Sequence, residues 1–216
     1  GLLMSASVNP AEFLGLDSEL LKPIHANASA ILILTSTEQI KLLQKAQGLS
    51  AFNHFDINAS YDKQLVFFHE FLVTGKFGFL HYHLPMADDA TYFPSLGYFT
   101  TYIEGSVKTP IPQLEKLKLP LVDKIWFGLG LRYALATART VGPDTLGTPT
   151  NTNAWQVNTD LTITIKPFDI TVAYKTEKFS TDYEGTTSFK DRPINYNDVK
   201  VVDAIQTMLI SVGFGL

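Results

Sequence analysis

Residues 124–139 alternate along their whole length. Ile125, Phe127, Leu129, Leu131, Tyr133 and Leu135 occupy one parity, and Trp126, Gly128, Gly130, Arg132, Ala134 and Ala136 occupy the other. Successive side chains of a strand point to opposite faces, so the pattern predicts a strand with one apolar face and one small or polar face. A soluble sheet would bury the apolar face and cover the other with charge. Here the second face is mostly Gly and Ala and the strand is long. That predicts an apolar side turned to lipid and a small side turned to a crowded interior.

Similar segments fill the chain from about residue 51. Residues 51–61 place Phe55, Ile57, Ala59 and Tyr61 opposite His54, Asp56, Asn58 and Ser60. Residues 64–74 are apolar on both faces, residues 76–84 set Leu80, Tyr82 and Leu84 against Phe77, Phe79, His81 and His83, and residues 96–108 alternate less cleanly. Residues 154–166 and 170–178 alternate around a Lys166-Pro167-Phe168-Asp169 turn, and the last segment carries Met208, Ile210, Val212 and Phe214 on one face. These eight segments, each roughly 9–16 residues, are long for globular strands and suit a tilted membrane crossing. Long polar connections at 140–153 and 179–200, with 84–95 of the same type, predict one rim. Tight turns at 166–169 and 74–76, with the longer 109–123, predict the other. A spanning sheet must close to pair its edges. The expected fold is therefore all-β: a closed antiparallel transmembrane β-barrel of about eight strands, with ten possible, over residues 51–216.

Residues 1–50 read differently, as a short periplasmic or lumenal segment of mixed helix and strand. Asn9 as cap, Pro10 at the first helical position and Glu12 in the first turn predict a helix over 9–21. Residues 28–35 predict a strand, and residues 37–47, stopped by Gly48, a second helix.

Composition narrows the function. Charged residues are 18%, below the roughly 25% of soluble domains, yet no apolar run approaches the ~18 residues of a membrane helix. A net charge of −4 without a basic run argues against nucleic acid as a partner. The absence of cysteine excludes disulfides, thiolate zinc sites and cysteine nucleophiles.

Arg132, midway along its strand, would cost roughly 2–4 kcal/mol facing lipid, so it is expected inside, paired with Asp160 or Glu177. The expected interior polar cluster is His54, Asp56, His81, His83, Arg132, Asp160, Lys175 and Glu177. The expected lipid-facing set is Phe127, Leu129, Leu131, Leu161, Ile163, Ile210, Val212 and Phe214. His81 and His83 share a face and could hold a metal with His54 or Asp56. No His-Glu-x-x-His run supports that, so a hydrogen-bonded interior without metal or cofactor is the expectation. His83 near Asp88 and Asp89 is the one place for a hydrolytic cluster, but no Gly-x-Ser-x-Gly accompanies it. The Thr-, Asn-, Asp- and Gly-rich loops are candidate surfaces for a protein partner.

Over residues 51–216 the chain resembles bacterial outer-membrane β-barrel proteins, on Ile125 to Arg139, Trp155 to Tyr174 with its Pro turn, and Ile205 to Leu216. That family commonly ends in an aromatic residue, whereas this sequence ends Gly213-Phe214-Gly215-Leu216. The resemblance implies a Gram-negative outer-membrane location, the lipid bilayer as partner, and a structural, anchoring or complex-subunit role without catalytic residues. Protein partners would be met through the long loops or the N-terminal segment. A small-solute pore or transporter and an outer-membrane lipid-modifying hydrolase are the alternatives within the membrane. A soluble lipocalin-like ligand-binding barrel is the alternative outside it.

Overall fold

The computed structural model describes residues 2–15, 21–35, 50–66, 69–84, 96–111, 122–141, 148–184, 186–189, 192–195 and 199–214. Nearly all of them are antiparallel strand. β1 (Leu2–Val8), β2 (Ile24–Thr35), β3 (Ser50–Val66), β4 (Glu70–Leu84), β5 (Leu96–Pro110), β6 (Lys124–Val141), β7 (Thr148–Ile165) and β8 (Phe168–Glu184) follow one another as neighbours in one sheet. A small hairpin of β9 (Thr186–Phe189) and β10 (Arg192–Asn195) comes next, and β11 (Val199–Phe214) returns to the sheet beside β8. The order is thus a nine-stranded meander, β1-β2-β3-β4-β5-β6-β7-β8-β11.

The sheet is strongly curled. β5 and β11 are four strand intervals apart, which is about 19 Å in a flat sheet. Yet the Tyr98 hydroxyl of β5 donates to the Asp203 carboxylate of β11. Tyr82 of β4 likewise packs against Phe179 of β8 at 6.3 Å between ring centroids. Only a sheet rolled toward one face brings such side chains together. Its concave side is filled: Tyr98 and Tyr102 are 0% exposed and Phe179 is 1%.

The curl stops short of a closed barrel, and here the sequence expectation is corrected. The sheet is an open half-barrel with nine strands, not eight, and no pairing joins β1 to β11 among the described residues. The physical reason lies in the N-terminal stretch. Residues 2–8 and 24–35 pair in register, Leu2 with Leu32 through Val8 with Ala26, and β2 then pairs with β3 from Ile24–Tyr61 to Thr35–Ser50. With nine antiparallel strands the two border strands run in the same direction, so an antiparallel closure between them is not available.

Two further expectations change. The segments read at 51–61, 64–74 and 76–84 are two strands, β3 and β4, joined across residues 67–69. The turn expected at 74–76 is mid-strand, with Gly75 paired to Tyr61 and Gly105. Of the helix expected over 9–21, the described residues form one turn, α1 (Pro10–Phe13), and residues 16–20 lie outside them. Asn9 caps it by accepting from the Ala11 and Glu12 amides at 2.9 and 3.3 Å, and Gly15 follows it at φ 64°, a left-handed conformation that cannot continue a helix. The helix expected over 37–47 lies outside the described residues. The tight connection after Ile165 is present as Lys166-Pro167.

Candidate functional site

The concave face holds a buried network of charge. Arg132 on β6 pairs in register with Glu104 on β5, and its guanidinium reaches Glu104 at 2.8 Å and Asp56 of β3 at 3.0 Å. Its plane lies over the Tyr102 ring at 3.8 Å. The Tyr102 hydroxyl and the Asn58 amide both donate to Asp56 Oδ1, at 2.6 and 2.9 Å, while Arg132 holds Oδ2. Lys76 of β4 donates to Glu104 at 3.0 Å, and Asn27 of β2 carries the network on to Asn58 and Ser60 at 3.0 Å each. The network thus laces β2 to β6 across the hollow.

A second cluster lies nearer the rim at which β11 begins. Arg139 reaches Asp203 at 3.1 Å, with its guanidinium beside the Tyr98 and Tyr183 rings. Toward the opposite rim, Lys108 meets Asp160 at 2.7 Å and Lys124 meets Glu70 at 2.5 Å. Every one of these pairs joins strands that are not neighbours, or joins neighbours through facing inner positions. The charges therefore hold curvature as well as one another.

Glycines make this lacing possible. Tyr102, Gly78 and Asn58 are consecutive partners across β5, β4 and β3. A Cβ at Gly78 would stand 2.9 Å from the Tyr102 hydroxyl, so only glycine lets Tyr102 lie across β4 to reach Asp56. Lys108, Gly128 and Asp160 repeat the arrangement across β5, β6 and β7, with the Asp160 carboxylate lying over Gly128. Asn158 passes over Gly130 in the same way and donates to Glu104 at 3.3 Å.

The expected interior set divides. Asp56, Arg132, His54 and Glu177 are buried together on the concave face, with Asp160 and Lys175 half-buried on the same side. Arg132 and Glu177 line one void of about 10 Å³, with Leu80, Thr100, Gln156 and Phe179. That is room for about one water, beside a Gln156 amide nitrogen that has no protein partner. Neither His81 nor His83 is in this group. Both share the outer parity of Phe77 and Phe79, His81 exposed and His83 half-buried, with their rings stacked at 6.4 Å. The expected pairing of Arg132 with Asp160 or Glu177 is replaced by Glu104 and Asp56. Register places Gln156, not Asp160, beside Arg132 on β7. Asp88 and Asp89, considered with His83, lie outside the described residues.

Glu104, Arg139, Lys76 and Asp203 went unread in the sequence. Arg139 has the parity opposite to Arg132. A bulge at Leu135, between the Thr101–Ala136 and Tyr102–Ala134 pairs, shifts the phase so that both arginines turn inward. Among the described residues no group of three or more His, Asp or Glu side chains is arranged to hold a metal.

The outer face is the reverse of the inner one. Phe127, Leu129 and Leu131 are 44%, 47% and 59% exposed, and Ile210 and Val212 are 68% and 66%. Leu161 and Ile163 are half-buried on the same face, and Phe214 lies in β11 with its side chain outside the described set. Phe55, Ile57, Phe77, Phe79, Phe99, Ile103, Tyr133, Trp155 and Tyr174 continue the exposed apolar surface across neighbouring strands. No helix among the described residues is long and apolar enough to cross a membrane. Comparison with protein-family profiles, curated proteins and solved structures finds no match for this chain.

Proposed function

We propose that this chain is a membrane-embedded β-sheet protein of a Gram-negative outer membrane, with a structural, anchoring or complex-subunit role. The observation that carries the reading is the slant of the apolar band on the outer face. One continuous line of paired residues runs Tyr61, Gly75, Gly105, Leu131, Val157, Thr176 and Gln206 from β3 to β11. On β3 the apolar row, topped by Phe55, ends at Tyr61 on that line. On β11 Val202 stands apart on the near side of the line, separated by Ala204 and Gln206, and the unbroken row Met208, Ile210 and Val212 begins two residues beyond it. From Phe55 to Met208 the top of the band therefore slides by about eight residues over six strand intervals. At about 3.3 Å per residue and 4.8 Å per strand, that is a slope near 40°. Strands of membrane barrels tilt by about 35–45° to the bilayer normal, so a level layer of hydrocarbon would mark the sheet with this slant. On β6 the band runs from Phe127 to Leu135, about 20 Å when projected at that tilt, close to the ~25 Å apolar height of such proteins.

The inner face supports the role. A lipocalin-like binder needs an apolar hollow, and this hollow holds Arg132, Asp56, Glu104, Lys175 and Glu177. A pore needs free volume, and the same hollow is filled by Tyr98, Tyr102, Phe179 and the arginine network. A packed, internally paired wall suits anchoring or assembly.

The test uses the two tryptophans. Trp155 points outward and is 42% exposed, whereas Trp126 has the inner parity and lies under the Lys124 ammonium at 4.4 Å. With Trp126→Phe, the remaining Trp155 fluorescence should be quenched when the protein is reconstituted in vesicles with brominated acyl chains. Unquenched emission, or release of the protein by alkaline carbonate, overturns the proposal.

A further inference from the structure

We infer that the free edge of β11 is the docking site for one antiparallel strand of a partner polypeptide, about as long as β11 and alternating apolar outward with polar inward. The inference rests on the membrane-embedded reading above. β11 has 16 residues and, among the described residues, pairs along one side only, with β8, from Val199–Tyr183 to Phe214–Phe168. Its other side presents a row of N–H and C=O groups, for which hydrocarbon offers no partner.

Among the described residues the other border strand does not fit. β1 spans 7 residues against the 16 of β11, and it runs in the same direction as β11. A second copy inserted the same way up offers, among the described residues, only β1 or β11 as a free edge, and both again run parallel. Pairing β11 with β11 of another copy about an axis along the strands would also turn one sheet over, joining a charged face to an apolar one. What fits is a strand running the opposite way.

Side chains on β11 define its pattern. Met208, Ile210 and Val212 are 66–68% exposed, well above Phe127 and Leu129 at 44% and 47% in a strand with neighbours on both sides. Inner-row Asp203, Ile205, Thr207, Leu209 and Ser211 are only half-buried. A partner with apolar outer residues would extend the band, and a mixed inner row would cover Ile205 and Leu209.

The natural absence of cysteine makes cross-linking clean. Val202→Cys and Val212→Cys variants are reconstituted in phosphatidylcholine vesicles. They are mixed with a synthetic alternating leucine–threonine peptide as long as β11, carrying one outward cysteine near its N-terminus. Antiparallel addition predicts a disulfide at Val212→Cys in about tenfold excess over Val202→Cys, because the wrong end lies some ten residues, about 33 Å, away. Moving the peptide cysteine to the C-terminus should reverse the preference. Equal yields, the parallel preference or no adduct overturn the inference. A disulfide-linked dimer of Val212→Cys without peptide would make the occupant a second copy and overturns it. So does an intramolecular disulfide in the Met4→Cys, Ile210→Cys double variant, which would mean self-closure. Retention through alkaline carbonate is scored in parallel. Loss of retention strikes the membrane reading, and with it this one. Retention without a peptide adduct strikes this inference alone.

Discussion

Single residues decide whether the inner face can be laced at all. Gly128 and Gly78 are positions where a side chain from one strand crosses a second to reach a third, and a Cβ there meets Asp160 or the Tyr102 hydroxyl. Gly75, in the same sheet, has nothing within 4 Å of an added Cβ. Gly128→Val should therefore destabilise by about 1–3 kcal/mol through overpacking, while Gly75→Ala stays within about 0.5 kcal/mol. Reversible denaturant unfolding in detergent compares the two. Arg132→Met should cost about 3–5 kcal/mol, because it strands the buried carboxylates of Glu104 and Asp56. Adding Glu104→Gln and Asp56→Asn should return much of that loss in the same assay. The sequence already made legible that small residues opposite Phe127 and Leu129 leave room for Arg132. Which carboxylates it would meet was not legible, because that depends on the register between β3, β5 and β6, and no alternation within one strand encodes it.

Among the elements, the bulge in β6 has the widest reach. One extra residue, Leu135, lets Arg132 and Arg139 share a face although seven positions separate them. Deleting Leu135 would remove the extra residue and leave Arg132 and Arg139 in strict alternation on the inner face, with their β5 partners unchanged. It should therefore destabilise far less than deleting Leu129 from the regular part of the strand, which would turn every residue on one side of the deletion to the opposite face, and heat-induced unfolding of the two variants checks the difference. A bulge is invisible to a period-two reading, which explains why Arg139 was missed. The misplaced turn near residue 75 has a different cause. From Leu65 to Val73 both parities are apolar, so the phase is lost, and Gly75 then reads as a break although it is an outer-face position within β4. The strands from β6 to β8 were legible because their parities differ sharply and Pro167 marks the turn between them.

At the scale of the molecule, the sheet's face chemistry was readable from residue 51 onward, and its closure was not. β1 is seven residues of mixed Leu, Ser and Ala, too short to announce itself, yet its pairing with β2 sets the strand count at nine and leaves the shell open. Asp203 gives this openness a mechanical side. It belongs to a border strand and also touches Tyr98 and Arg139 on the opposite wall. Asp203→Ala should speed amide hydrogen exchange at residues 97–100 as well as at 201–205, whereas a purely local contact would loosen only the latter. The last strand is in effect a latch, so any molecule that grips or peels that border would transmit tension straight across the hollow to the far side.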